Sequence, residues 1–162
     1  MLLGNLDIER LRWPAGKFAG CDIDVLARRH LWAKGLDYGH GTGHGVGYFE
    51  GVHEGPVGIS RYNNTKYEAG MIVTNEPGYY EPGEYGIRIE NMLLVHEKDG
   101  FNYFENLTLC PYDKNLLAKD LLSQADIAYI NEYHHRVWDT LSPKLQDDQT
   151  ALEWLKQATS PI

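Results

Sequence analysis

Apolar residues recur at helical spacing at the start of the chain, where Leu3, Leu6, Leu11 and Trp13 in MLLGNLDIERLRWPAGK predict an uncapped amphipathic helix ended by Pro14 and Gly16. A second helix is predicted over residues 23–34. Asp22 or Asp24 can cap it, Val25, Leu26, His30 and Leu31 face inward, and Gly35 stops it. From Gly35 to Gly70 the period lapses into glycine- and turn-rich chain. MIVTNE (71–76) and GIRIENMLLVHE (86–97) then have strand character. The Pro/Gly-rich PGYYEPGEYG between them is expected to be the long loop of two neighbouring antiparallel strands. A further strand pair is predicted around the Asp99-Gly100 turn. Helical spacing returns after Ser123, with a stripe of Ile127, Ile130, His134, Val137 and Leu141, and a last helix is predicted over 148–158, before Pro161. No internal repeat, low-complexity tract or domain linker interrupts the pattern.

The glycine-rich stretch holds the first candidate chemistry. Treated as extended chain, it places His40, Thr42, His44, Val46 and Tyr48 on one face and Gly39, Gly41, Gly43, Gly45 and Gly47 on the other. Two imidazoles then line a backbone that neighbours can approach closely. Each glycine costs more chain entropy to order than alanine, so a purely structural strand would rarely accumulate five of them. No lysine-serine/threonine pair follows the glycines and no GxGxxG spacing occurs, which argues against a phosphate loop. HEGPV at His53 is not the zinc helix HExxH, because the second histidine is missing and Pro56 would break a helix.

Glu90 raises an electrostatic problem. Alternation puts Arg88, Glu90, Met92 and Leu94 on one face of the second strand, and the run Leu93, Leu94, Val95 predicts that both faces are covered. A bare buried carboxylate costs several kcal/mol, so Glu90 is expected to pair with Arg88, to bind a cation, or both. Glu76, fixed before a Pro-Gly turn, poses the same problem. Without a cation between them the two carboxylates repel each other.

Composition narrows the partners. The chain has 162 residues, 43% of them hydrophobic, and a net charge of −8 with its 15 basic residues scattered. That balance leaves no surface suited to nucleic acid or an anionic membrane. No apolar run approaches membrane-spanning length and no signal segment opens the sequence, so a cytoplasmic location is expected. Cys21 and Cys110 are too few for a disulfide framework. The glycosylation patterns at Asn63 and Asn106 are read as chance matches.

HGTGHGVG, VHEGP, GMIVTNEPGYY and GIRIEN together resemble the signature blocks of the aminopeptidase P group. These Xaa-Pro aminopeptidases have the pita-bread fold shared by prolidase and methionine aminopeptidase. The resemblance runs from about Gly16 to the C-terminal LEWL segment. It implies an α+β fold, an antiparallel sheet flanked by helices, with residues 1–162 forming the C-terminal portion of one pita-bread catalytic domain. It also implies hydrolysis of the bond between an N-terminal residue and a following proline, using two divalent ions, usually manganese. By this match His44, Glu76 and Glu90 are the metal ligands, with Glu90 bridging the ions. His53 hydrogen-bonds the substrate and assists proton movement, His40 lines the substrate pocket, and Arg88 supports the metal carboxylates. Dimers are common in the group, so a homodimer is expected. Asn75 stands where an aspartate is common, beside a ligand rather than at it.

A larger departure lies upstream. The family's two metal-binding aspartates, on neighbouring strands before the histidines, have no counterpart here, because Asp7, Asp22 and Asp24 fall on predicted helices or their caps. The expectation is therefore a fragment of the catalytic domain that holds one ion weakly or none. The alternatives are a catalytically inactive relative acting as a binding or dimerisation module, and a hydrolase or esterase working with a single ion.

Overall fold

The sheet is built from residues whose alternate positions are apolar. In the computed structural model, which describes residues 1–49 and 51–162, β1 (Arg12–Pro14), β4 (Ile72–Asn75), β7 (Asn91–Lys98) and β8 (Phe101–Asn106) form an antiparallel sheet ordered β1-β8-β7-β4. Val73 pairs with Leu93, and Val95 with Phe104, so these residues share one face. That face packs with Ile8 of α1 (Leu2–Glu9) and Ile23 and Ala27 of α2 (Gly20–Trp32), together with Trp13, Ile59 and Tyr67. Leu93 is wholly buried here, and shortening it to Ala would cost about 3 kcal/mol in lost transfer energy and cavity. On the opposite face Met92 and Tyr103 are exposed. The sheet is thus covered on one side, not on both. Leu94, which made the run look doubly buried, is only half-buried.

The first helix is shorter than its apolar spacing implies. It ends at Glu9, and Trp13 lies on β1 instead, its ring 5.4 Å from Tyr67 and 4.7 Å from Phe104. Pro14 is tolerated because β1 is an edge strand, where a missing N–H breaks no inner ladder. The second helix starts earlier than expected, at Gly20. Asp22 caps it from within, its carboxylate accepting from the Ala19 amide at 2.8 Å, whereas Asp24 is buried against Arg28. Val25 is exposed and His30 partly so; Ile23, Ala27 and Leu31 make the inward face. Gly35 follows the helix in the left-handed region, as its position implies.

The expected long strand over 86–97 is two elements. PGYYEPGEYG folds with part of it into a hairpin, β5 (Gly78–Glu81) with β6 (Tyr85–Arg88), and β7 begins only at Asn91. The pairing of β4 with β7 is nevertheless antiparallel as expected, and Asp99-Gly100 turns β7 into β8 with both residues at positive φ. The glycine stretch is strand only at β2 (Gly43–His44), opposite β3 (Gly58–Ile59). Thr42 is buried while Tyr48 is fully exposed, so the proposed common face does not persist along it.

Residues 1–108 and 109–162 form two compact units. In the second, α3 (Gln124–Leu141) is capped by Ser123 in a reciprocal box with Asp126, and α4 (Gln149–Ala158) by Asp148. Ile130, His134 and Val137 of α3 are wholly buried, as the apolar stripe predicts. Lys114 donates to the Gln157 carbonyl near the end of α4, where unpaired carbonyls favour a cation. Among the described residues no helix is long and apolar enough to cross a membrane.

Candidate metal centre

The ladder between β4 and β7 sets the site. Its last pair is Asn75 opposite Asn91, so Glu76 leaves the sheet just after that rung and Glu90 enters just before it. Two carboxylates far apart in sequence thereby flank one end of a strand pair. From the other side β2 brings His44: the Gly45–Val73 bridge and the bond from the Glu76 amide to the Thr42 carbonyl (2.6 Å) lay the histidine arm along β4. This approach requires glycine. A Cβ at Gly43 would lie 1.8 Å from the Thr74 carbonyl oxygen.

His44, Glu76 and Glu90 converge, each offering a ligand atom within 4.8 Å of the others. His44 Nδ1 lies 2.9 Å from the Gly45 carbonyl, so in the neutral ring Nδ1–H donates there and Nε2 presents its lone pair. That lone pair faces Glu76 Oε1 at 3.3 Å. A bare nitrogen and two carboxylates meeting in this way form a donor set that a divalent cation satisfies. The residues present therefore fit a metal ion. Thr74 orders two of them, its hydroxyl accepting from the His44 amide (2.9 Å) and donating to Glu76 Oε1 (3.2 Å).

Glu76 is buried, but Glu90 is exposed. Of the two carboxylates only Glu76 therefore needs a counter-charge on account of burial, because Glu90 precedes β7 instead of lying within a covered strand. Arg88 Nη1 lies 3.5 Å from Glu76 Oε2, giving that carboxylate a partial counter-charge. Arg88 Nε also donates to the Tyr80 hydroxyl at 2.8 Å, and this bond holds the guanidinium pKa above its ordinary value. Tyr80 continues the chain to His40 Nε2, 2.8 Å away, while His40 Nδ1 faces the Gly41 carbonyl. His53 comes from the loop beyond β2, is exposed, and holds its ring centroid 4.0 Å from that of His44. All six candidate residues thus gather around one end of β4.

Reading the sequence missed Asn5. It is wholly buried on α1, and its Nδ2 donates to the carbonyls of Asn75 (3.0 Å) and Ile89 (3.4 Å), the residues immediately before the two glutamates. Asn75 returns the bond from its own Nδ2 to the Asn5 carbonyl at 2.9 Å. The available signal was an asparagine set among the apolar residues of the first helix.

The sequence profile of metallopeptidase family M24 matches residues 9–97, and that of the C-terminal region of peptidase M24 matches residues 100–162. The chain is 50% identical over 173 aligned positions to the probable Xaa-Pro aminopeptidase P of Coprinopsis cinerea, covering 100% of this chain and 28% of the relative. A similarly named protein of Laccaria bicolor is 48% identical, with 100% and 27% covered. Among solved structures, X-prolyl aminopeptidase from Caenorhabditis elegans, described as a cytosolic enzyme with a di-nuclear active site, superimposes with a TM-score of 0.93 at 39% identity. That match covers 99% of this chain and 28% of the other. The chain therefore spans little more than a quarter of the length of these relatives. Its α+β architecture is part of the pita-bread fold. With the family's histidine and glutamate blocks meeting at one strand end and its profiles matching most of the sequence, this chain belongs to metallopeptidase family M24.

Proposed function

We propose that the chain is the C-terminal portion of a pita-bread catalytic domain and carries the histidine-glutamate half of an Xaa-Pro aminopeptidase site. The convergence of His44, Glu76 and Glu90 within 4.8 Å carries this reading. Those three residues would hold a divalent ion, and their one imidazole and two hard oxygen donors favour manganese over a thiolate-preferring metal. Such an ion, when bound, supplies Lewis-acid polarisation and an activated water for amide hydrolysis. Arg88 offers the Glu76 carboxylate a counter-charge that helps orient it. His53, exposed beside His44, offers a hydrogen bond or a proton to the substrate's reacting carbonyl or amine. His40, held by Tyr80, lines the pocket for a peptide with proline second. Three protein donors match the ligand count of a single-ion site, so one ion is assigned to this chain and two to the complete protein.

A cytoplasmic location accords with the description of the nematode relative. A homodimer is the assembly we favour, supported by the exposed Leu116, Leu121 and Trp154 of residues 109–162. The test is a manganese titration of the chain followed by assay on an Xaa-Pro peptide. Saturable binding of one ion, abolished by replacing His44, supports the reading. Absence of binding up to millimolar manganese would overturn the assignment of an ion to this chain. Turnover by this chain alone would support instead a hydrolase that needs a single ion.

A further inference from the structure

Behind the histidine arm lies a buried polar network with no part in the reading above. We propose that Asp24 and Arg28 of α2, acting through Thr42, are positioning residues that set where His40 and His44 stand relative to Glu76; this rests on the metal centre proposed above.

Arg28 and Asp24 are both buried and joined through Nε at 2.8 Å. A buried ion pair is commonly just a component of packing, and replacing one with apolar groups is often neutral. The remaining partners of this guanidinium argue for more. Nη1 donates to Asp37 Oδ1 and the Tyr38 carbonyl, both at 2.9 Å, and Nη2 to the His40 carbonyl at 2.6 Å. All three lie on the arm, and the last belongs to a candidate site residue itself. The guanidinium also lies over the Tyr38 ring, 4.0 Å from its centroid. Only a planar fork can serve these directions at once; an ammonium cannot.

Asp24 completes the hold. Its second oxygen accepts from the Thr42 hydroxyl at 2.5 Å, which in turn accepts from the Tyr38 hydroxyl at 2.5 Å. Thr42 is wholly buried, and its carbonyl is the acceptor for the Glu76 amide. One residue therefore faces the helix through its side chain and a metal-ligating strand end through its backbone, two positions before His44. The helix fixes both ends of the arm, with Asp37 to His40 at one and Thr42 at the other.

The experiment compares manganese affinity of the full 162-residue chain with that of Thr42→Val, Thr42→Ser, Arg28→Lys and Ile23→Val. Ile23→Val, in the core on the same helix, reports destabilisation alone. Thr42→Ser keeps the hydroxyl and should bind like wild type, whereas Thr42→Val and Arg28→Lys should lose affinity by about tenfold or more, as outer-sphere supports of metal ligands do. Equal affinity in all five proteins would overturn the proposal. Should Thr42→Val not fold, Arg28→Lys carries the comparison. Should the wild type itself bind no manganese, the metal reading fails and imidazole nitrogen NMR of the metal-free proteins decides. A single Nδ1–H tautomer of His44 in wild type and Thr42→Ser, mixed in Arg28→Lys, supports the positioning role, and identical spectra overturn it.

Discussion

Glu76 is the charged residue in a buried run from Val73 to Gly78, facing the His44 imidazole Nε2 at 3.3 Å, with the half-exposed Arg88 guanidinium 3.5 Å away. Glu76→Gln keeps the shape and the acceptor for Thr74 but removes the charge. We expect manganese affinity to fall by more than about 100-fold, beyond the range of outer-sphere changes, as isothermal titration would show. The melting temperature of the metal-free chain should rise, because repulsion from Glu90 is relieved. Asn5→Ala tests a different dependence. It strips partners from two backbone carbonyls and a buried amide, so a loss of about 2 kcal/mol in urea unfolding is expected, with weaker metal binding. That His44, Glu76 and Glu90 converge was expected from the sequence, through the resemblance of their blocks to the aminopeptidase P group. The roles of Asn5, Thr42 and Thr74 were not, since what distinguishes these residues is which backbone groups they meet across the fold.

At the scale of elements, alternation and capping were informative where each acted locally. Ser123 and the α3 stripe marked that helix closely, and Asp99-Gly100 marked its turn. They failed where long-range packing decides. Trp13 continued a helical spacing but was claimed by the aromatic cluster with Tyr67 and Phe104, and Glu90 looked like strand until the β5–β6 hairpin broke the run. Within α3, His134 is wholly buried, and burial, helped by Lys114, lowers its pKa below the ordinary 6.5. Its folded ring therefore stays neutral while the unfolded ring takes up a proton. The stability this contributes is present above pH 6.5 and is lost as pH falls towards the depressed folded value. Thermal unfolding at about pH 7.5 and about pH 5.5 should show a greater acid loss in the wild type than in His134→Gln. Equal losses would remove His134 as the cause.

For the whole molecule, a cation that binds only the folded chain links composition to stability. With manganese at about 100 times its dissociation constant, stability should rise by about 2.7 kcal/mol, and a chelator should reverse the accompanying shift in melting temperature. A melting temperature indifferent to both would separate the donor set from the energetics of folding. The hairpin between the two glutamates has a further implication for engineering and for evolution. Because the terminal Asn75–Asn91 rung fixes how far apart the carboxylates stand, the contour length of chain joining them is irrelevant to their separation. The exposed tip at Pro82–Gly83 is then a place where loops, tags or whole recognition modules can be spliced in, remodelling the rim beside the His44–Glu76–Glu90 cluster while the rung that spaces the carboxylates stays put.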